Sequence, residues 1–222
     1  MAVAVAASAG ATAAPTCPRA PTAVVEHFIG SDCERCWQTA SASASAGPSA
    51  PWRLDWILPS ASGDAAPLAT AALADGVERV ARAGAARPAA DGSTEQRTEL
   101  AAARKPLGLK VFAGPAWNGY LAVQYELGRA APAGSSVWLA IVESIPAGSE
   151  GSPDARELVR AVAGPFAATV TSGSSGATPM VALRAPATPQ PQRLSARAWV
   201  EAADGRLLAI SSEACNAPAN RR

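Results

Sequence analysis

The stretch Val24–Trp37, V-V-E-H-F-I-G-S-D-C-E-R-C-W, constrains what this chain can build more than any other. Val24 to Ile29 is apolar apart from Glu26 and His27 and has the length of a short strand. Gly30, Ser31 and Asp32 carry turn chemistry, and Asp32 is a residue type that caps a helix by accepting a bond from a first-turn N–H. Cys33 and Cys36 follow at a spacing of three, which puts both on one face of a helix opening there. The free N–H groups at a helix start and the positive end of its dipole favour an anion, here a thiolate on Cys33. Cys33 is then the expected nucleophile and Cys36 the residue that resolves a mixed disulfide. Arg35 favours the thiolate, whereas Asp32 and Glu34 oppose it.

A strand, a tight turn and a C-x-x-C opening a helix is the layout of a thioredoxin-like redox site. Pro51–Pro59 reads as a second, parallel strand, with Leu54, Trp56 and Leu58 on one face and Arg53, Asp55 and Ile57 on the other. Leu68, Ala72, Leu73, Val77 and Val80 predict a helix over 67–83 that Gly84 stops. Ser93-Thr94-Glu95-Gln96 has the form of a capping box and predicts a helix to about Arg104, ended by Pro106. From Leu107 onward short runs alternate between faces, among them Val137–Ser144, Leu194–Ala202 and Leu207–Ser211, with Asp204-Gly205 as a hairpin turn. The expected class is therefore α+β or α/β. A complete or reduced thioredoxin-like domain would span 20–105, and a β-sandwich-like half would span 106–215.

The chain has 222 residues, 49% of them hydrophobic and 17% charged, which suits a folded chain rather than a disordered one. Its net charge of +1 comes from scattered residues, so no basic patch points to nucleic acid. No apolar run reaches the roughly 20 residues that span a bilayer. Met1–Ala14 is apolar, and Ala11-Thr12-Ala13 fits a small-x-small cleavage site, which predicts the remnant of a secretory signal or else a disordered terminus. Residues 216–222 are expected as a disordered tail. Of the four cysteines, Cys17 and Cys215 lie near the two ends. In an exported protein they would pair and tie the termini; otherwise they are two free thiols.

The opening stretch resembles V-V-E-L-F-T-S-x-G-C-x-x-C-P, the start of a family of exported bacterial thioredoxin-like proteins catalogued as domain of unknown function "twelve twenty-three". Val137-Trp138-Leu139-Ala140 is similar to a V-W-L-A strand in the β-rich segment that follows the redox domain in that family. The resemblance covers most of 23–212, and its specific motif is the first one. It implies a periplasmic or secreted protein with Cys33 and Cys36 at the family's C-x-x-C positions. Its partner would be an exported protein that presents a thiol or a disulfide, and no cofactor is implied. The family's T-P-Q-x-x-V-x-G segment has a proline that looks like the cis-proline facing a thioredoxin redox site. In this chain Pro88, within Arg87–Gly92, stands nearest that place, and Trp37 stands where the family has Pro.

Three readings of the cysteine pair remain open at this point. The pair exchanges disulfides with a partner. Alternatively, it is a permanent brace in a structural or protein-binding module. As a third reading, Cys33, Cys36 and His27 hold a thiophilic ion such as Cu(I), since zinc would need a fourth ligand. His27, the single histidine, either moves protons beside the pair or is hydrogen-bonded structure. The six tryptophans read as core and interface packing, with Trp37 as a candidate lip of a binding surface.

Overall fold

The computed structural model describes residues 21–40, 51–102, 105–171, 180–184, 186 and 190–213. The expected signal segment Met1–Ala14, the Cys17–Cys215 bond and the tail 216–222 lie outside the described residues.

The opening apolar run forms β1 (Ala23–Gly30), and P-W-R-L-D-W-I-L forms β2 (Trp52–Leu58), parallel to it with Phe28 opposite Trp56. Between them lies α1 (Glu34–Gln38), a single short turn of helix. α2 (Asp75–Arg82) and β3 (Ser93–Glu99) follow. The later strands are β4 (Lys110–Trp117), β5 (Tyr120–Glu126), β6 (Ser136–Ile145), β7 (Arg156–Ala167), β8 (Met180–Arg184), β9 (Leu194–Glu201) and β10 (Leu207–Ser212). Seven of them make one mixed sheet in the order β10-β9-β6-β7-β2-β1-β3, and β4-β5-β8 make a second.

This architecture overturns the expected α/β, thioredoxin-like fold. The described residues contain two α-helices, of five and eight residues, and the rest of the regular structure is almost all strand. The segment with the capping-box pattern is β3, antiparallel to β1, with Glu95 opposite His27. Its residues alternate between exposed and half-buried, so Thr94, Gln96 and Thr98 share one side. Polar, Thr-rich sequence satisfies an edge strand as well as a helix start, and the exposed N–H and C=O groups of β1 decided between them. The helix expected over 67–83 exists only from Asp75. Before it, Leu73 N–H donates to Ile57 O at 2.9 Å, which lays the segment along the end of β2.

Nor do the thioredoxin-like and sandwich-like parts stand apart. β1, β2 and β3 precede the 105–107 boundary, β6, β7, β9 and β10 follow it, and all belong to the same sheet. The junction is β2 against β7, parallel, at Asp55 opposite Leu158. A sandwich-like packing does hold for the later strands. Val137, Leu139 and Ile141 of β6, with Ala198 and Val200 of β9, pack against Val111, Val123 and Leu183 of the small sheet. Trp138, Ala140 and Val142 point the other way and meet Trp56, Leu58 and Val80 of α2. The alternation read in β6 is therefore real, but both of its faces are buried, which is what a central strand between two layers requires.

Five tryptophans are buried or half-buried, but Trp117 does not pack as expected: it is 81% exposed at the tip of the β4–β5 hairpin. No described helix is long and apolar enough to cross a membrane.

Candidate functional site

β1 ends at Gly30, where the chain turns under a neighbouring loop. Gly30 N–H donates to Gly92 O at 2.9 Å and Asp32 N–H to Ala90 O at 3.1 Å. A Cβ on Gly30 would overlap Ala90 O and stand 2.6 Å from Ala89 O, so only glycine lets the loop this close. Cys33 then occupies the N-cap position of α1, without a side-chain cap. Asp32 does not cap the helix as expected. Its carboxylate accepts from the hydroxyls of Ser60 at 2.9 Å and Ser62 at 3.1 Å, which pins the turn to the chain beyond β2.

Cys33 and Cys36 are joined by a disulfide, with Cα atoms 5.3 Å apart. Their surroundings differ. Cys33 is 1% exposed, sealed among Ile29, Trp37, Ile57, Ile145 and Leu158. Cys36 is half-buried and lines a cavity of about 320 Å³ together with His27, Arg35, Thr39, Ser93 and Glu95. Trp37 is no open lip: it is buried, and its Nε1 donates to Glu150 O at 2.8 Å. Arg35 is exposed and reaches Asp91 O at 3.4 Å. Pro88 sits in the loop that leads to this contact, but the cis peptide among the described residues is Gly164–Pro165, so the cis-proline role implied for Pro88 is not met.

Beneath the cavity lies a charged network whose key member sequence reading missed. His27 and Asp55 are register partners on β1 and β2, and His27 Nδ1 lies 3.1 Å from Asp55 Oδ1. Arg156, at the start of β7, is fully buried and donates to Asp55 Oδ1 at 3.2 Å. Its other nitrogens donate to Ser152 Oγ at 2.8 Å and to the carbonyls of Trp37 at 2.9 Å and Thr39 at 3.0 Å. Arg53 Nε reaches the same Asp55 oxygen at 3.4 Å, and Glu157 N–H donates to Oδ2 at 3.2 Å. A guanidinium here does two things: it neutralises a buried carboxylate, and it satisfies the last carbonyls of the cysteine-bearing helix. Burial works against ionisation of Asp55, but the His27 hydrogen bond and the charges of Arg53, Arg156 and His27 outweigh it and hold the carboxyl below its ordinary range. Its nearby partner Ser152 gives no signal of this role, because Asp55, Trp37 and Thr39 lie more than 100 residues away in the chain.

A second buried cluster is built on Glu26, the neighbour of His27 in β1, whose side chain points to the opposite face of the sheet. Arg79 of α2 makes a two-pronged bond to Glu26, through Nε at 2.7 Å and a terminal nitrogen at 2.6 Å, and also bonds Glu201 of β9. Burial lowers its basicity, but the two carboxylates more than reverse this and raise it. The cluster braces α2 against β1 and β9 of the large sheet.

The Cu(I) reading finds little to stand on. The two sulfurs are bonded to each other, His27 turns its Nδ1 to Asp55, and no group of three or more His, Cys, Asp or Glu among the described residues is placed to hold a metal. Comparison with family models, curated proteins and solved structures gave no match for this chain.

Proposed function

We propose that this protein performs thiol–disulfide exchange at Cys33–Cys36, on a partner that presents a thiol or a disulfide, in the periplasm or outside the cell. The observation that carries the reading is that one sulfur-bearing residue of the bond, Cys36, lines a cavity of about 320 Å³ while the other is packed in the core. A disulfide meant only as a brace gains nothing from a polar cavity against one of its cysteines. The likeness of Val24–Trp37 to the opening of an exported redox family supports the same reading. Arg156 holds the carbonyl end of α1, so the helix keeps its place when the bond opens.

The alternative, a permanent brace in a structural or binding module, draws on the burial of Cys33. Equilibration in glutathione buffers separates the two. Exchange predicts a reduction potential above about −300 mV, and a value below that marks a structural bond. Trapping with Cys33→Ser and Cys36→Ser variants then identifies which partners form a mixed disulfide.

A further inference from the structure

Resting on the exchange reading, we propose that Cys36, not Cys33, is the sulfur that meets the substrate, and that His27, oriented by Asp55, is the base that takes its proton. Three observations converge on this. Cys33 is sealed by Trp37, Ile57 and Leu158, so a substrate sulfur has no line of approach to it, whereas Cys36 faces the cavity. His27 opens on the same cavity from β1. Finally, the tautomer of His27 follows from its partner. Nδ1 meets Asp55 Oδ1, which only accepts, at 3.1 Å, and the guanidiniums of Arg156 and Arg53, which only donate, at 3.4 and 3.5 Å; the shorter contact, to the carboxylate, assigns the hydrogen to Nδ1. Nε2 is then the basic nitrogen, and it has no hydrogen-bond partner among the described residues. In this proposal Cys36, His27 and Asp55 take the roles of nucleophile, base and orienting carboxylate.

In the dithiol form Cys36 Sγ gives its proton to His27 Nε2 and keeps the electron pair. The thiolate attacks one sulfur of a substrate disulfide R–S–S–R′. A Cys36–S–R bond forms, the S–S bond breaks, and R′S⁻ leaves and takes the proton back from His27. Cys33 Sγ then attacks Cys36 Sγ and closes the Cys33–Cys36 bond, its own proton passing to the departing sulfur, which leaves as RSH. The enzyme dithiol is oxidised and the substrate is reduced to RSH and R′SH; the reverse sequence oxidises a dithiol. The charged groups facing His27 are Asp55 and Arg53 of β2, Arg156 of β7, Glu95 opposite it on β3, and Arg35 across the cavity on α1.

The test is limited alkylation of the reduced protein by iodoacetamide, with the labelled cysteine located by mass spectrometry. The expected result is label on Cys36 at about tenfold or more over Cys33, with a pH midpoint well below the roughly 8.5 of an ordinary thiol. His27→Gln should slow Cys36 labelling at pH 7 by about tenfold, since an unassisted thiol is still a few per cent thiolate there. Label appearing first on Cys33 overturns the proposal, and so does a wild-type midpoint at about 8.5; neither result depends on whether the variant folds. An unchanged profile in folded His27→Gln also overturns it. The glutathione equilibrium keeps this apart from the exchange reading: a potential in the exchanging range with Cys33 labelled first leaves exchange standing and removes only the relay.

Discussion

The residue that decides most about the site is Arg156, and its value comes from what it faces. It is fully buried, yet each of its nitrogens meets an oxygen: Ser152 Oγ, Asp55 Oδ1 and the carbonyls of Trp37 and Thr39. Removing one partner of such a pair strands a charge, which costs about 3–5 kcal/mol. Arg156→Met should therefore destabilise by that amount in urea unfolding, and the double variant Asp55→Asn/Arg156→Met should lose less than the two single losses added together. The same carboxylate sets an acid limit. Its folded-state pKa lies below the ordinary value of 3.8, so it contributes stability above that value and loses it as pH falls through the lowered one. Unfolding followed from pH 5 to pH 2 should show a steeper loss in the wild type than in Asp55→Asn. Equal slopes would mean that Asp55 does not carry the effect.

At the scale of elements, the turn from β1 into α1 is held by backbone rather than by capping side chains. Gly30, Ser31 and Asp32 donate to Gly92, Leu58 and Ala90, and a methyl at Gly30 collides with the Ala89 and Ala90 carbonyls. Backbone cannot swing aside as a side chain can, so Gly30→Ala should cost about 1–3 kcal/mol, as overpacking does. Its clearest trace would be faster amide exchange at Asp32 and Gly30. Exchange unchanged at those amides would show that the loop yields freely. The strand, turn and cysteine-bearing helix were all legible in Val24–Trp37, because they rest on local chemistry. β3 was not: Ser93–Glu99 suits a helix cap and an edge strand alike, and its choice was made by the open edge of β1.

Across the whole molecule, one sheet carries strands from both sides of residue 105, and the charged clusters cross it as well. Arg156 of β7 grips Asp55 of β2 and the end of α1, while Arg79 of α2 bridges Glu26 of β1 and Glu201 of β9. Heat or denaturant should therefore unfold the chain in a single cooperative transition, with calorimetric and van't Hoff enthalpies equal. Two separated transitions would show that the N-terminal and C-terminal strands are held independently. The sequence by itself determined the motif, the alternating faces of β6 and β9 and the strand-rich texture after Leu107, because period and turn chemistry act within a few residues. Tertiary structure alone decided that both halves share a sheet, that Cys33 is closed while Cys36 is open, and that His27 meets Asp55 and Arg156. Those outcomes depend on which strands find each other across separations from 28 to more than 100 residues, and hydrogen-bond pairing over such separations leaves no local imprint on the chain.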